Sequence, residues 1–287
     1  MLNAYSSNPI VTNCTFRHNS AGFNGGGVFN FDNSSPTVAG CTFTNNAAHA
    51  RGGGMYNWWY SSPTVTRCTF TGNSADRGGG LYGTAPCSPT VNNCILWGNT
   101  ASSGGHEIAL ADFSTIKVAY CDVQGGQAGI YDDGSGNTIT WEIGNIDADP
   151  LFADPNSGDV HLRSQAGRWD PNTAGWINDP VTSRCIDAGN PGSLLGDEPT
   201  DPNNLRINMG AYGGTAQASK TPAGWSLLPD LTNDGTVDLA DVDAQSLYWL
   251  GAENELPGDL NRDGLVDIAD LKLLTIDWLK KTVWFGT

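Results

Sequence analysis

Two stretches near the end of the chain place oxygen-bearing side chains at the same positions of a twelve-residue loop. They read DLTNDGTVDLADVDAQSLYWL and DLNRDGLVDIADLKLLTIDWL, starting at Asp230 and Asp259, an offset of 29 residues. Oxygen-bearing residues occupy loop positions 1, 3, 5, 9 and 12, a Gly permits a sharp turn at position 6, and Val follows at position 8. Because hard cations bind several oxygens that converge from one tight loop, the spacing predicts two calcium sites.

The predicted ligands of each loop are side-chain oxygens and one carbonyl oxygen at position 7. In the first loop they are Asp230, Thr232, Asp234, Asp238 and Asp241, with the carbonyl of Thr236. In the second loop they are Asp259, Asn261, Asp263, Asp267 and Asp270, with the carbonyl of Leu265. The carboxylates of one loop repel each other unless a cation neutralises them, so we expect folding to be coupled to Ca²⁺. The alternative is a pair of acidic turns without metal.

Each loop leads directly into an amphipathic helical pattern that ends in Trp-Leu. The apolar positions are Val242, Leu247 and Leu250 in the first unit, and Leu271, Leu274, Trp278 and Leu279 in the second. Two such units in tandem, each with an exit helix only, resemble a type I dockerin over Asp230 to Trp278. The resemblance implies a small all-α, Ca²⁺-binding domain that attaches its cargo to a cohesin-like scaffold protein.

Two departures from the dockerin pattern bear on affinity and on the partner. Thr232 stands where Asn or Asp is usual, which predicts a weaker first site. Positions 10 and 11, which often carry Ser-Thr and touch the cohesin in cellulosomal dockerins, are apolar in both loops. They are Leu239-Ala240 and Ile268-Ala269. The resemblance therefore implies an apolar docking face, and a partner other than a cellulosomal cohesin stays open.

The first half of the chain repeats with a period of about 27 residues. One repeat reads SPTVAGCTFTNNAAHARGGGMYN. Several columns keep the same step: Pro9, Pro36, Pro63 and Pro89; Val11, Val38, Val65, Val91 and Val118; Cys14, Cys41, Cys68, Cys94 and Cys121; Asn19, Asn46, Asn73 and Asn99; Phe16, Phe43, Phe70, Leu96 and Val123. Gly triplets and Asn-rich turns exclude a helical hairpin in so short a period.

The period fits three short strands and three turns, one coil of a right-handed parallel β-helix. Stacked coils would turn the Val, Cys and Phe columns into core ladders and the Asn column into an amide ladder. The repeats resemble those of bacterial secreted β-helix proteins related in fold to pectate lyases, over roughly Asn3 to Tyr131. The predicted fold is mainly β: a parallel β-helix followed by a small all-α domain.

The predicted division of the chain has three parts. The β-helix occupies 1–220, with an irregular closing region of about 132–220 that carries ADPLF, HLRS and CIDAG phrases of the same secreted proteins. A linker follows at 221–229, and the duplicated loop module at 230–287. We expect further irregular coils and a cap in the closing region, with RWDPNTAGWINDPVTS as an insertion loop.

Charge and chain start bear on partners and location. The chain has 287 residues and a formal charge of −16, and the acidic excess lies in its second half. Nucleic acid is an unfavourable partner for such a chain because phosphate needs a basic face. No apolar run could span a bilayer, and no secretory leader follows Met1. Since Met1 aligns inside a coil, we expect an extracellular or cell-surface protein whose leader and further coils precede it.

Cysteine use follows the repeat. The Cys at one position per coil is predicted to be a buried free thiol in a core column. Cys87 and Cys185 lie outside that column, and the sequence leaves open whether they pair.

The sequence favours binding over catalysis. Asp132-Asp133 is the one element of the pectin hydrolase motifs that occurs, and it precedes a GSGN turn; His106-Glu107 is expected to be a surface pair. Aromatic residues suggest contact with polysaccharide instead, because exposed rings stack on sugars; the candidates are Phe31, Trp58, Trp59 and Tyr60. We therefore expect no catalytic residues. The alternative is a polysaccharide lyase or glycoside hydrolase with an active site that is incomplete or upstream.

Overall fold

The repeats stack in register as a parallel β-solenoid of about five turns. The computed structural model describes residues 1–200 and 204–283, so the last residues of the predicted module, 284–287, lie outside it. Val38 pairs with Val11 on one side and Val65 on the other, and Val91 pairs with Val65 and Val118. The 27-residue period is thus the step between coils, as the repeats predicted.

Four parallel sheets run along the solenoid. Sheet 1 contains Leu2–Ala4, Val28–Phe31, Met55–Trp58, Leu81–Thr84, Ile108–Leu110 and Tyr131–Asp132. Sheet 2 contains Ile10–Thr12, Thr37–Ala39, Thr64–Thr66, Thr90–Asn92, Thr115–Ala119 and Thr138–Trp141. Sheet 3 contains Thr15–Arg17, Thr42–Thr44, Thr69–Thr71, Ile95–Trp97 and Asp122–Val123. Sheet 4 contains Ser20–Ala21, Ala47–Ala48, Ser74–Arg77 and Thr100–Gly104. The prediction of three strands per coil is wrong for the first four coils. Each of them has a fourth strand, which follows the Asn of the predicted amide ladder and belongs to sheet 4.

The core consists of the predicted columns. Phe43 and Phe70 are fully buried and stack with ring centroids 4.3 Å apart. The column cysteines are buried except Cys14, which lies in the first coil of this sequence and is exposed. All seven cysteines of the chain are free thiols, Cys87 and Cys185 included. The prediction of a thiol column is confirmed.

Amide ladders hold the corners of the coils together. In the predicted ladder, the Nδ2 atom of Asn46 donates to Asn73 Oδ1 at 2.9 Å, and Asn73 Nδ2 donates to Asn99 Oδ1 at 2.8 Å. The ladder ends on Glu107, whose carboxylate accepts from the backbone and side-chain amides of Asn99. Glu107 is only 2 % exposed, so the expectation that it belongs to a surface pair is wrong. Its neighbour His106 is exposed.

The closing region first adds one more irregular coil, as expected: Thr138–Trp141 pairs with Thr115–Ala119, and Ile146 bridges Asp122. Beyond that coil the region folds back along sheet 3. It contains two antiparallel hairpins, Phe152–Asp154 with Asp159–Leu162 and Arg168–Asp170 with Gly175–Ile177. The second hairpin lies where an insertion loop was expected. The backbone amide of Ala211 donates to Thr69 Oγ1 at 3.0 Å, so the segment around Ala211 lies on the outer face of sheet 3.

The last part of the described chain contains two short helices, α1 (Leu239–Ser246) and α2 (Ile268–Ile276). Each begins with a capping box, in which the side chain of each of two Asp residues accepts from the backbone amide of the other. The two residues are Asp238 and Asp241 in α1, and Asp267 and Asp270 in α2. Two helices of this length do not by themselves establish a separate all-α domain. Neither these helices nor any other among residues 1–200 and 204–283 has the length and apolar character to cross a membrane.

Candidate metal centres and aromatic edge

The two acidic loops have the same internal hydrogen-bond network. In the first, Asp230 Oδ2 accepts from the Gly235 amide at 3.0 Å, and Asp241 accepts from the amides of Thr232 at 3.1 Å and Asp238 at 2.8 Å. The φ of Gly235 is 89°, a left-handed conformation that strains other residues. The carboxylates at positions 1 and 12 are therefore fixed in place by the loop's own backbone.

The second loop repeats these contacts position by position. Asp259 Oδ2 accepts from the Gly264 amide at 2.9 Å, and Asp270 accepts from Asn261 at 3.0 Å and Asp267 at 2.9 Å. The φ of Gly264 is 91°. Because two sequences that differ at several positions adopt one network, the twelve-residue spacing itself determines the loop conformation.

Backbone pairing locks the two units together across an approximate twofold axis. Val237, at position 8 of the first loop, exchanges backbone hydrogen bonds with Leu279 and Lys280 at the end of the second unit. Val266, at the same position of the second loop, exchanges them with Leu250 and Gly251 at the end of the first. Each loop is thus completed by the other unit. We call residues 230–283 the loop–helix module.

Buried carboxylate oxygens in the first loop lack a compensating positive group within the loop. Asp230 and Asp241 are fully buried, and Asp230 Oδ1 has no hydrogen-bond partner. Burial raises the pKa of Asp230 to about 7; Arg206 opposes the rise, and Asp241 and Asp234 add to it. An orphaned buried carboxylate oxygen is costly unless a cation or a proton reaches it. The first loop therefore fits a bound cation.

The other predicted ligands occupy a range of environments. Asp238 and Asp267 accept from the helix amides of Ala240 and Ala269 at 2.8 and 2.7 Å, so they cap the helices. Position 9 of such loops often binds calcium through water, which this geometry permits. Asp234, Asn261, Asp263 and Leu265 are exposed, and Thr232 and Thr236 half-buried.

No group of three or more His, Cys, Asp or Glu side chains is gathered into a metal site in residues 1–200 and 204–283. The predicted loops would complete a coordination sphere with hydroxyl, amide and carbonyl oxygens as well as carboxylates. The two calcium sites accordingly stay a prediction, supported by the loop network and by Asp230 Oδ1.

The loop–helix module is seated on the closing region. Position 4 of both loops points back into it: Asn233 Nδ2 donates to the carbonyls of Gly144 and Ala188 at 2.7 and 2.8 Å, and Arg262 Nη2 donates to Leu205 O at 2.8 Å. Arg206 is fully buried and donates to Asp230 O at 2.6 Å. The segment predicted as a linker, 221–229, is packed in this junction, where Leu227 and Leu228 contact the module core. The division into domains remains a prediction.

The predicted partner-binding residues are exposed apolar side chains at the starts of α1 and α2. Leu239 is 68 % exposed and Ile268 is 66 % exposed, and Ala240 and Ala269 beside them are exposed as well. Other exposed apolar side chains lie on the same two units: Leu247, Leu250, Ile276 and Leu279. These side chains are accessible to solvent, and the docking face stays a prediction.

The aromatic candidates lie together along one edge of sheet 1. Phe31 pairs in register with Trp58, and their rings lie 5.0 Å apart at an interplanar angle of 29°. Trp59 lies 5.9 Å from Phe31, and Tyr60 is exposed. Trp59 and Tyr60 both have positive φ, 51° and 59°. Bulky residues are strained in this conformation, so these aromatic rings are held at the edge at a cost in stability.

Asp132 and Asp133 are exposed and are bound by their own turn. Asp132 Oδ1 accepts from the Gly134 amide at 2.9 Å, and Asp133 Oδ1 accepts from the Ser135 amide at 3.0 Å. These contacts are those of an acidic residue that starts a turn, as the GSGN sequence indicated.

Sequence reasoning missed several buried polar groups. Asn3, Asn30 and Asn57 form a second amide ladder inside sheet 1, and their 27-residue spacing could have revealed it. Arg206 and the Cys185–Asp122 contact, at 3.0 Å, had no repeating signal.

Comparisons with protein families agree with this architecture. Residues 1–70 match a family model described as right handed beta helix region, and residues 82–189 match a model described as disaggregatase related. No curated protein and no solved structure matches the chain significantly. The β-helix fold of the chain is therefore shown by the structure and by its first coils' similarity.

Proposed function

We propose that this chain is an extracellular or cell-surface β-helix protein that a Ca²⁺-dependent docking module attaches to a cohesin-like partner. The observation that carries the proposal is the pair of loops with one shared network, in which Asp230 Oδ1 is buried without a partner. Ca²⁺ held by the two loops would neutralise their carboxylates and stabilise the exit helices. The exposed Leu239 and Ile268 would then meet the partner.

Calcium titration of the full chain tests the metal part. We expect two sites by isothermal titration calorimetry and a higher melting temperature with Ca²⁺ than with EDTA, because the cation binds the folded loops. Asp259→Ala should remove one site. Asp277→Ala is the matched control, since Asp277 lies outside the loops and binds Lys280 on the surface. No calcium binding, or a stoichiometry unchanged by Asp259→Ala, would contradict the proposal.

Thr232 offers a second test of the same loops. Thr232 Oγ1 contacts Asp241 Oδ1 at 3.2 Å in the first loop, where the second loop has Asn261. Thr232→Asn should tighten the weaker of the two sites and leave the other unchanged, because an amide oxygen is a better calcium ligand than a hydroxyl. Calorimetry resolves the two affinities.

The docking part predicts a Ca²⁺-dependent complex with cohesin-type domains. Leu239→Asp together with Ile268→Asp should abolish binding to a cohesin that the chain recognises, because a charge would be buried in an apolar interface. Leu2→Asp, an equally exposed apolar residue of the first coil, is the control. Failure of a broad cohesin panel to bind in calcium would overturn this part and leave the calcium sites intact.

Polysaccharide contact is a second candidate, favoured by the exposed aromatic residues Trp59 and Tyr60 beside Phe31 and Trp58. Affinity electrophoresis with plant and algal polysaccharides should show retardation that Trp58→Ala abolishes. The disaggregatase-related match over residues 82–189 keeps the enzyme alternative open. A reducing-sugar and unsaturated-product assay on the same polysaccharides separates cleavage from binding.

A further inference from the structure

The loop–helix module contacts the closing region through the same position of both loops. Asn233 and Arg262 each occupy position 4 of their loop, and both have a φ of 57°. Asn233 Nδ2 donates to the carbonyls of Gly144 and Ala188. Arg262 Nε donates to Pro191 O at 3.0 Å. Two units that repeat each other in sequence thus bind the closing region with equivalent residues.

The conformation of position 4 follows from its neighbours in the loop. Positions 3 and 5 carry predicted ligands, which are Thr232 and Asp234 in the first loop and Asn261 and Asp263 in the second. When oxygens on both sides converge on one cation, the side chain between them points away from the centre of the loop. A side chain such as that of Arg262 rarely adopts a left-handed φ, so the loop must hold it there. The contact with the closing region therefore depends on the conformation of the loop.

The segment between the two units also packs on the closing region. Asn190 Nδ2 donates to Glu255 O at 2.7 Å, and Ser193 Oγ donates to Glu255 Oε2 at 3.2 Å. Gly192 lies between these two contacts, and a Cβ atom at this position would overlap the carbonyl oxygen of Leu256. The close approach of the two backbones therefore requires a Gly here. A substitution of Gly192 disturbs the junction without altering either loop or any charge.

We propose that Asn233 and Arg262 form a calcium-dependent latch, which holds the loop–helix module on the closing region with Ca²⁺ and releases it without Ca²⁺. The carboxylates of each loop repel one another when no cation neutralises them, so position 4 is then no longer held in place. The seated module keeps Leu239 and Ile268 in one orientation relative to the solenoid, whereas the released module is tethered by 221–229. The inference rests on the calcium part of the proposed function and adds to it a control of orientation.

Coupling of this kind is reciprocal. If Ca²⁺ favours the seated module, seating favours Ca²⁺ binding by the same factor, commonly about fivefold or more. Gly192→Ala should therefore weaken Ca²⁺ binding by about fivefold or more, although Gly192 lies outside both loops. Gly175→Ala is the matched control, because it adds the same methyl group to the closing region where the nearest atom, Thr173 Oγ1, is 3.7 Å away. It should leave the Ca²⁺ affinity unchanged.

The test uses the full chain, with calorimetry for the Ca²⁺ affinity and hydrogen–deuterium exchange, read by mass spectrometry, for the seating. In the wild type, the amides of 186–193 and 221–229 should exchange about tenfold faster or more in EDTA than in Ca²⁺, because release of the module exposes both segments. The strands of the second to fourth coils are the internal reference and should keep their protection. Circular dichroism checks that both variants fold.

Two results would overturn the latch. One is equal protection of 186–193 and 221–229 in EDTA and in Ca²⁺, and the other is a Gly192→Ala variant that binds Ca²⁺ as tightly as the wild type. Either result, with a wild type that binds two Ca²⁺, leaves the calcium sites of the proposed function standing. A wild type that binds no Ca²⁺ refutes the calcium part of the proposed function and the latch with it.

Discussion

Glu107 makes the stability of the solenoid depend on pH in a way that one substitution isolates. Its carboxylate ends the amide ladder and is buried. Burial raises the pKa of Glu107 to about 7, and the hydrogen bonds from Asn99 oppose the rise without cancelling it. The folded protein therefore holds this proton more tightly than the unfolded chain does.

The sign of the effect follows from that difference. A carboxyl group whose folded pKa is raised contributes its full stability below its unfolded pKa, and that stability is lost as pH rises through the folded value. A shift from 4.5 to about 7 corresponds to about 3 kcal/mol in total, of which roughly 2 to 3 kcal/mol falls between pH 5 and pH 8. The free energy of unfolding should decrease over this interval.

Glu107→Gln removes the titration and keeps the size of the side chain. Burial also raises the pKa values of Asp122, Asp187 and Glu198, so the wild type has further pH dependence of the same sign. The quantity to measure is therefore the difference between variant and wild type, by urea unfolding in calcium at both pH values. That difference should shift by roughly 2 to 3 kcal/mol in favour of the variant at pH 8. Parallel pH profiles for the two proteins would refute the assignment.

Three further predictions concern the ladder, the junction and the thiols. Asn73→Ala should lower the free energy of unfolding by about 2 to 4 kcal/mol, because it leaves buried amides unpaired. Asn19 is exposed, so Asn19→Ala should lower it by less than about 1 kcal/mol, and urea unfolding measures both variants. Arg206→Met removes the buried guanidinium that donates to Asp230 O and should loosen the contact between the loop–helix module and the closing region. Limited proteolysis should then cleave faster at 221–229, and an unchanged cleavage rate would contradict the role of this contact. A thiol reagent should label Cys14 in the native protein and the other cysteines only after unfolding, and rapid native labelling of a second thiol would contradict the buried column.

The sequence by itself determined the features whose information is contained in one repeat. The 27-residue step fixed the stacking of Val38 on Val65, because identical positions in a parallel solenoid meet in register. The twelve-residue spacing likewise fixed the loops, since each carboxylate binds amides at most nine residues away, as Asp241 binds Thr232. Local chemistry of this kind needs no knowledge of the rest of the chain.

Only the tertiary structure decided the features that join distant, non-repeating segments. The backbone amide of Asn190 donates to Asn93 Oδ1 at 2.7 Å and so joins the closing region to the fourth coil, and no periodic pattern marks that pair. Glu107 ends the Asn ladder because the fifth coil has no Asn at this position. Its carboxylate is therefore buried, although the sequence predicted a surface residue. Burial is a property of what packs against a residue, and here the packing partner lies far along the chain.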